Sequence, residues 1–588
     1  MDHILHRRLR KLLTSLWLVL LTVSLSAARF TLNPISVLYV PYEFDATTGE
    51  GLYGLVKGPS EQSSYDYKNH LLYIAGDTYV QIANISDAAN PAIIHSRPVS
   101  SSVNDIEVCG DYVGYLENGI AHKNAQGMLH LMRAYNTTSR NWTDYLEIPV
   151  GSVPDMLYFT KDCQTIVVVN EGEYDETDVP GVFIDPEGTV SIIRLDSGRS
   201  EGYTINHLNF TAFNERAAEY EAKGVRYSYK NSTFSQNLEP EYVAISSDDS
   251  TAYIALQENN AIAVINIGTE TIEEIYSLGL KSWKDLKLDV SDRDGGIVFR
   301  NHDIYSMYQP DAIKYFDVGG TGYIATANEG ATVEYPTWTE EKRGKSLVDD
   351  GLVWGESPLI SALNDTAQLG RLKFSQYEGI NASRFGKIDQ LVFYGGRSIS
   401  IRKASDLSLV YDSGDVIEVK SSQELTNVFN TDTKPLTGAP EGSADTRSDD
   451  YGPECESLAF AEVNGTRLLF VGIERLSAIA IFTFPSGSAI PEFDSFHRAG
   501  GTDRSYDQLL IDREVGDLDP EDIKFLPYEK SPTGKDFLIV TNNIAGTIAF
   551  YDVVNNSALR SEAGVYIVSM ATILSFAVSR ISSVLSIL

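Results

Sequence analysis

Short runs of strand-forming residues alternate with polar turns along most of this sequence. The clearest stretch is 238–267, LEPEYVAISSDDSTAYIALQENNAIAVINI. Its three apolar runs occupy residues 242–245, 252–256 and 262–267. Ser and Asp side chains between the runs favour turns, because they hydrogen-bond to their own backbone. Three short strands joined by tight polar corners predict an antiparallel meander.

The same pattern occurs five times, and each copy opens with a proline followed by an acid. The copies begin at Pro154, Pro240, Pro310, Pro453 and Pro520. Recurrence of one supersecondary unit predicts a repeat architecture. Every unit is a meander and no helical stretch is expected between the units, which favours a β-propeller over stacked sandwiches.

Further units without the proline-acid start are expected at about 65–95, 104–149 and 388–417. The predicted fold is therefore all-β: a seven-bladed β-propeller of four-stranded antiparallel meanders with loop insertions, with eight blades as the alternative. Ser36–Tyr42 is expected to complete the last blade, which would leave no open sheet edge. Insertions are expected at 171–187, at 201–237 with helix-like composition over 213–223, at 334–350 and at 430–451.

Both ends of the chain carry hydrophobic segments that do not belong to the propeller, which is predicted to span 29–556. Residues 1–28 combine a basic start, an apolar run and small residues, as a secretory signal peptide does; an uncleaved membrane anchor is the alternative. Within residues 557–588, small residues over 557–564 precede the apolar run 565–588, and no basic tail follows it. This arrangement predicts a glycosylphosphatidylinositol (GPI) attachment signal, with attachment at Asn556 or Ser557. A transmembrane helix is the alternative, because the apolar part is long enough to span.

The charge of the chain narrows the classes of partner. Asp and Glu number 81 against 47 Lys and Arg, a formal charge of −34. Such a surface repels nucleic acid and suits cations or solubility. With only three cysteines, Cys109, Cys163 and Cys455, the chain can form at most one internal disulfide. We expect it between Cys109 and Cys163, which fall in successive units.

Asparagine sequons are frequent for a chain of this length. Nine occur, at Asn84, Asn136, Asn141, Asn209, Asn231, Asn364, Asn381, Asn464 and Asn555. Several lie in predicted turns, where a glycan can reach solvent. Behind a signal peptide, they predict a glycoprotein exposed at the cell surface.

Two sets of acids recur at equivalent places in the repeats. The first set follows the opening prolines and comprises Asp155, Glu241, Asp311, Glu454 and Glu521. The second set lies at the corner after the second strand and comprises Glu171, Glu258, Glu329 and Glu474. Equivalent places in a ring share one radius, so either set could converge at one end of the channel. Converging carboxylates would bind calcium, which takes oxygen ligands. The alternative is that they cap turns.

Asp292 and Asp294, before the pair Gly295-Gly296, are further candidate metal ligands. An EF-hand loop with Gly295 at its sixth place would put Val290 at the first, so this is not an EF-hand. The loop could still present its acids to others across the ring.

No catalytic residue is predicted. The sequence contains no G-x-S-x-G elbow and no phosphate-cradling glycine loop. Clustered acids would in principle support metal-assisted phosphoester hydrolysis, the alternative to a binding function.

Several phrases together resemble the choice-of-anchor I domain of bacterial surface proteins and the mesenchyme-specific cell surface glycoproteins of echinoderms. They are DPEGTVSIIRL (185–195), the stretch 239–267, SDRDGGI (291–297), 307–331 and DTRSDDYGPE (445–454). The resemblance implies a propeller ectodomain at the cell surface, often lipid-anchored, with a link to calcium carbonate biomineralisation in echinoderms. The chain departs from the family pattern at Ala331, at Glu454-Cys455-Glu456 and at Asn542-Asn543.

The expected function is that of a glycosylated, membrane-anchored binding or matrix protein of the cell surface. Calcium is the expected ion, and an extracellular ligand or matrix component the expected partner. A secreted metal-dependent hydrolase, phosphatase-like, is the alternative.

Overall fold

The computed structural model describes residues 30–122, 124–142, 144–177, 179, 181–196, 202–335 and 338–556. The predicted signal peptide (1–28) and the predicted attachment signal (557–588, with Ser557) lie outside these residues.

Seven four-stranded antiparallel sheets, here called sheets 1 to 7, make up most of the described chain. Sheet 1 contains Ser63–Asp66, Leu71–Ile74, Tyr79–Asn84 and Ala92–Pro98. Sheet 2 contains Val103–Cys109, Tyr112–Glu117, Gln126–Arg133 and Asp144–Ser152. Sheet 3 contains Pro154–Phe159, Thr165–Asn170, Thr189–Leu195 and Tyr203–Asn209. Sheet 4 contains Pro240–Ile245, Thr251–Leu256, Ala261–Asn266 and Thr271–Ser277.

The last three sheets follow the same order. Sheet 5 contains Pro310–Val318, Thr321–Asn328, Ser398–Lys403 and Leu409–Asp412. Sheet 6 contains Cys455–Val463, Thr466–Ile473, Ala478–Phe484 and Glu492–His497. Sheet 7 contains Pro520–Leu526, Phe537–Asn542, Thr547–Asn555 and the N-terminal strand Phe30–Tyr39.

The sheets are arranged as a β-propeller. From sheet 1 to sheet 7, the first strand of each sheet contacts the first strand of the next. Sheet 7 returns to sheet 1, where the hydroxyls of Thr541 and Ser63 lie 2.8 Å apart. Apolar side chains fill the spaces between neighbouring sheets: Leu131 and Ile148 of sheet 2, for example, pack with Leu157 of sheet 3. The large apolar area removed from water between sheets stabilises the ring.

The N-terminal strand completes sheet 7, as the sequence predicted, but it starts earlier. It pairs antiparallel from Phe30 opposite Asn555 to Tyr39 opposite Thr547, whereas the prediction was Ser36–Tyr42. Phe30 and Leu32 are buried against sheet 7 and sheet 6. The first and last strands of the ring are therefore held together by both hydrogen bonds and apolar contacts.

A separate insertion module lies beside sheets 4 and 5, and it corrects the prediction of a repeat unit at 388–417. Val392–Phe393 belongs to a five-stranded sheet with Leu280–Ser282, Tyr305–Met307, Lys373–Ser375 and Glu341–Arg343. Only Ser398–Lys403 and Leu409–Asp412 enter the ring, where they complete sheet 5. The module has its own core, which includes Trp283, Leu347 and Phe374. Its strands therefore bury their apolar side chains without pairing with a sheet of the ring.

The remaining elements are short. Two-stranded pairs join Glu43–Phe44 to Gly51–Leu52, Asp175–Glu176 to Phe183–Ile184, Glu334–Tyr335 to Trp338–Thr339, and Ile380–Asn381 to Lys387–Ile388. The α-helices are Ala217–Lys223, Gly344–Asp349, Ile360–Leu363, Val416–Glu424 and Tyr506–Ile511. The 3-10 turns are Thr211–Arg216, Ser235–Asn237, Ala382–Arg384, Thr426–Val428, Pro440–Gly442 and Glu474–Leu476. The helix-like composition predicted over 213–223 thus corresponds to a 3-10 turn and a helix.

One disulfide joins two neighbouring sheets. Cys109 at the end of the first strand of sheet 2 is bonded to Cys163 in the first turn of sheet 3, with their Cα atoms 5.6 Å apart. Cys455, the first residue of sheet 6, is a buried free thiol.

Candidate metal centre

Strand register decides which acids are equivalent from sheet to sheet. In each of four sheets, the opening proline lies opposite the last residue of the second strand. The pairs are Pro154 with Asn170, Pro240 with Leu256, Pro310 with Asn328 and Pro520 with Asn542. In sheet 6 that place is taken by Cys455, opposite Ile473. The acid equivalent to Glu241 is therefore Glu456, and the assignment of Glu454 to this set was wrong.

Glu454 has a different environment, two residues before Glu456. Its carboxylate lies 2.7 Å from both the Arg447 and the Arg475 guanidinium groups. Burial alone would raise the pKa of Glu454, but Arg475 and Arg447 outweigh burial and hold it at about 2. Two guanidinium groups already compensate this carboxylate, so Glu454 is a poor candidate for a metal ligand.

The second set of acids, at the corner after the second strand, is also out of register in one sheet. Glu171, Glu329 and Glu474 each follow directly the last paired residue of the second strand. In sheet 4 that place belongs to Gln257, and Glu258 is one residue further on. Gln257 donates a hydrogen bond from Nε2 to Glu329 Oε2 at 2.7 Å, linking the corners of sheets 4 and 5.

The corner after the second strand of sheet 7 carries an asparagine instead of an acid, and an acid next to sheet 1 lies beside it. Asn543 occupies the corner place of sheet 7. Its Nδ2 donates a hydrogen bond to Glu61 Oε2 at 2.6 Å. Glu61 lies just before the first strand of sheet 1. Burial, followed by repulsion from Asp519, raises the pKa of Glu61 to about 8. Glu61 had not been predicted, because it precedes a strand that has no proline-acid start.

Five carboxylates form two overlapping groups that share Glu456. One group contains Glu329, Glu456 and Glu474, and the other contains Glu456, Asp519 and Glu521; within each group one oxygen from every residue lies within 4.8 Å of the others. We call these five residues the carboxylate cluster. Glu329, Glu474 and Glu521 were predicted candidates. Glu456 and Asp519 were not, although each lies within two residues of the opening position of its strand.

Two oxygens of the carboxylate cluster lack a hydrogen-bond partner among the described residues. They are Glu456 Oε2 and Asp519 Oδ1, on residues only 8% and 5% exposed. A buried carboxylate without donors carries a large desolvation cost unless a proton or a cation compensates it. Burial, with repulsion from Glu521, accordingly raises the pKa of Glu456 well above its usual range. Burial likewise raises the pKa of Asp519 to about 6.

The other predicted acids of the ring lie close enough to influence one another. Burial, followed by repulsion from Asp155 and Glu258, raises the pKa of Asp311 to about 7. Burial, followed by Glu258 and Glu171, raises the pKa of Glu241 well above its usual range. Glu241 Oε2 and Glu258 Oε2 accept no hydrogen bond from the described residues. The ring thus brings acids from many parts of the sequence into one electronegative region.

Asp292 and Asp294 are not part of this region. Asp292 lies 2.5 Å from the Arg371 guanidinium, which also pairs with Asp449 at 2.7 Å. Asp294 lies 3.7 Å from Arg300. Asp292 thus pairs with an arginine outside its segment and Asp294 with one inside it, and among the described residues neither belongs to a carboxylate group with the ring acids.

The carboxylate cluster offers the ligand type that a hard cation requires. Calcium binds six to eight oxygens in flexible geometry, and five carboxylates with two unpartnered oxygens provide such ligands. Their negative charges repel one another, and a divalent cation would remove that repulsion.

The sequon asparagines all lie at the protein surface. Six are exposed: Asn136, Asn141, Asn209, Asn231, Asn364 and Asn464. Asn84, Asn381 and Asn555 are partly exposed. Among the described residues, no helix is long and apolar enough to cross a membrane.

Comparison with known proteins identifies the family. The model of the choice-of-anchor I domain matches residues 61–486. The chain belongs to the choice-of-anchor I domain family. The matched range contains Glu329, Glu456 and Glu474, whereas Asp519 and Glu521 of the second carboxylate group follow it.

The chain is similar in sequence to two animal proteins. The mesenchyme-specific cell surface glycoprotein of Strongylocentrotus purpuratus is 27% identical over 647 residues, covering 79% of this chain and 83% of the relative. Gigasin-3a of Magallana gigas is 35% identical over 208 residues, covering 34% of this chain and 70% of the relative.

Solved structures match with low identity. Kuenenia stuttgartiensis hydrazine synthase is 11% identical with a TM-score of 0.40, over 87% of this chain and 99% of that one. Saccharomyces cerevisiae Sqt1 is 9% identical with a TM-score of 0.39, over 86% and 98%.

Proposed function

We propose that this protein is a calcium-binding glycoprotein of the cell surface or extracellular matrix, with its ion held by the carboxylate cluster. The observation that carries the proposal is the position of Glu456. It belongs to both carboxylate groups, it is buried, and one of its oxygens has no donor among the described residues. One divalent cation near Glu456 would compensate carboxylates of sheets 5, 6 and 7 together.

The ligand chemistry supports calcium in preference to a softer metal. The cluster consists of oxygen ligands, whereas zinc and copper sites draw on Cys and His. Magnesium demands a compact octahedron and keeps several waters, while calcium accepts larger and irregular sets of carboxylates. Because burial raises the pKa values of these carboxyls, calcium would compete with protons for them, and calcium binding should weaken as the pH falls.

The proposed location rests on the ends of the sequence and on the relatives. A signal peptide at 1–28 would direct the chain to the secretory pathway, and a GPI signal at 557–588 would hold it at the outer membrane surface. One relative bears the name of a cell surface glycoprotein. We extend that location to this chain, and with it a role in binding an extracellular ligand or a mineralising matrix.

We further propose that sheets 1 to 7 are the seven blades of one ring, and that the five-stranded sheet is an insertion. Seven four-stranded sheets in chain order support this count, as does the N-terminal strand in sheet 7. In this arrangement the ring can act as a rigid frame for the carboxylate cluster.

Calcium titration of the purified full-length protein by calorimetry tests the proposal. We expect saturable binding in the wild type and at least tenfold weaker binding in Glu456→Gln, which keeps the shape of the side chain and removes its charge. Glu462→Gln is the matched control, because Glu462 lies exposed on the same strand; its binding should equal that of the wild type. Equal calcium affinity in Glu456→Gln and wild type would refute the site. Hydrolysis of a generic phosphoester in the same preparations tests the enzymatic alternative.

A further inference from the structure

A cleft lined by aromatic residues shares no lining residue with the carboxylate cluster. It lies between the segment after the helix Ala217–Lys223 and residues 338 and 377–380. Its volume is about 380 Å³, within the range of about 300–1,000 Å³ typical of small-molecule sites. The residues that matter here are Arg226, Tyr229, Asn231, Trp338, Tyr377 and Glu378.

The aromatic rings of the cleft form a continuous wall. Trp338 stacks on Tyr377 with ring centroids 5.3 Å apart and an interplanar angle of 21°. The ring centroids of Tyr229 and Trp338 are 5.0 Å apart. Tyr377 is 41% exposed, so part of this wall faces solvent. Aromatic faces carry partial negative charge, and they attract the partly positive C–H groups on the face of a sugar ring.

Polar groups stand beside the aromatic wall. Arg226 is buried and donates from Nε to Glu378 Oε1 at 3.2 Å. The Glu378 side chain is 31% exposed, so it has room to accept a further hydrogen bond. An apolar wall with a few fixed polar groups is the usual composition of a binding site, and it matches the two-sided chemistry of a saccharide.

Asn231 places a glycan acceptor directly in this cleft. It opens the sequon Asn231-Ser232-Thr233, it is exposed in a turn, and it lines the cleft itself. Its Nδ2, the atom that a glycan would occupy, donates to the Tyr229 hydroxyl at 3.3 Å. The attachment nitrogen therefore lies beside the Tyr229 hydroxyl, and a sugar linked to it starts next to Tyr229.

We propose that an N-linked glycan on Asn231 folds back into this cleft, with its first sugars packed on Trp338 and Tyr377. Attachment forms a bond between Asn231 Nδ2 and C1 of the first N-acetylglucosamine of a lipid pyrophosphate-linked oligosaccharide. The bond from C1 to the pyrophosphate breaks, the lipid pyrophosphate leaves, and the amide gives up one proton. The occupant of the cleft is thus part of the same molecule.

Packing of this kind has a structural consequence. Tyr229 lies in the segment that follows the helix Ala217–Lys223. Trp338 precedes the strand Glu341–Arg343 of the insertion module, and Tyr377 follows its strand Lys373–Ser375. A glycan that contacts both parts of the chain would bridge them and cover exposed aromatic surface. Because the glycan is tethered, its effective concentration at the cleft is high even where the intrinsic affinity is weak.

Site-resolved deglycosylation of the folded full-length protein tests the proposal. The protein is treated with a peptide N-glycosidase, and release at each asparagine is followed by mass spectrometry. Asn464 is the matched control, since it lies exposed in the turn between the first two strands of sheet 6. We expect release at Asn231 to be at least tenfold slower than at Asn464 in the native protein, and equal after denaturation.

Variants of the aromatic wall separate packing from general inaccessibility. Trp338→Ala should raise the native release rate at Asn231 to that at Asn464. Tyr377→Ser, at the exposed rim, should also raise the native release rate at Asn231. This variant serves as the test if Trp338→Ala fails to fold. An unmodified Asn231, equal native rates at the two sites, or no change in a folded wall variant would each overturn the proposal. Binding of added N,N′-diacetylchitobiose to the glycosylated wild type would also overturn it, because the cleft would then be open.

Discussion

Arg475 Nη2 lies 2.7 Å from Glu454 Oε2 at the edge of the carboxylate cluster. The same guanidinium group reaches Glu474, a cluster member, at 2.6 Å through Nη1. Arg475 therefore compensates a carboxylate outside the cluster and one within it. Burial raises the pKa of Asp519, and the charge of Arg475 partly offsets that rise, whereas no lysine or arginine in the described part of the chain forms an ion pair with Glu456.

Replacement of Arg475 should destabilise the fold because it leaves Glu454 with only one cationic partner in a buried place. We expect Arg475→Met to lower the free energy of unfolding by about 2 kcal/mol. Glu454→Gln in the Arg475→Met background should recover part of that loss, giving a coupling energy of about 1 kcal/mol or more. Urea denaturation of the wild type, the two single variants and the double variant measures this coupling energy. Strictly additive effects of the two substitutions would contradict the prediction.

The stability of the calcium-free protein should fall as the pH rises. The pKa of Asp311 is about 7 against an ordinary value of 3.8, and that of Glu258 is about 7 against 4.5. Both values are raised by burial, so the folded state binds more protons than the unfolded state between about pH 4 and pH 8. Raising the pH through this window removes those protons at the expense of the folded state.

Melting temperatures at pH 5 to 8, in calcium and in chelator, measure this dependence. Calcium would bind the ionised carboxylates of the carboxylate cluster, where burial also raises the pKa of Asp519 to about 6 and that of Glu456 well above its usual range. The difference between the two conditions should therefore widen towards pH 8. Groups remote from the cluster cancel in that difference. A difference in melting temperature that stays constant or narrows with rising pH would argue against cation binding by the carboxylate cluster.

The disulfide should contribute strongly to stability because it closes a long loop. Cys109 and Cys163 are 54 residues apart, for which the chain-entropy relation gives roughly 4 kcal/mol at 25 °C. The double variant Cys109→Ser/Cys163→Ser should lose about this much in urea denaturation. Reductant should destabilise the wild type and leave the double variant unchanged; a reductant effect in both would point to another cause.

The N-terminal strand of sheet 7 offers a matched pair of substitutions. Leu32 is 4% exposed, whereas Val37 on the same strand is 39% exposed. Leu32→Ala should lower the free energy of unfolding by about 2–5 kcal/mol, because it leaves a cavity between sheets 6 and 7. Val37→Ala should change it by no more than about 0.5 kcal/mol. Equal effects in chemical denaturation would show that the strand is not packed as described.

Much of the ring could be predicted because its information is local. Each unit has strand-forming runs and turn residues within about thirty positions, so five copies were recognisable from a single pattern. The unit predicted at 388–417 failed for a physical reason. Val392–Phe393 has strand composition like its neighbours, but it pairs with Tyr305–Met307 of the insertion module, a partner that no local pattern reveals.

The carboxylate cluster was predicted less completely than the ring. The opening prolines were used to align the first strands of the sheets. In sheet 6 this alignment is wrong by two residues, because Cys455, and not Pro453, occupies the opening position. Glu456 was missed for this reason. Asp519 was missed because it precedes its proline, and Glu61 because sheet 1 lacks the proline-acid start.

The order of apolar runs and turn residues in this chain was sufficient to specify an all-β repeat protein and its closing N-terminal strand, since strand and turn preferences act between residues close in sequence. Its family membership could likewise be recognised from short phrases. Which carboxylates meet was decided only in three dimensions. Strand register and ring closure place Glu329, Glu456 and Asp519 together across 190 residues of sequence, and neighbouring arginines decide that Glu454 is neutralised while Glu456 is not.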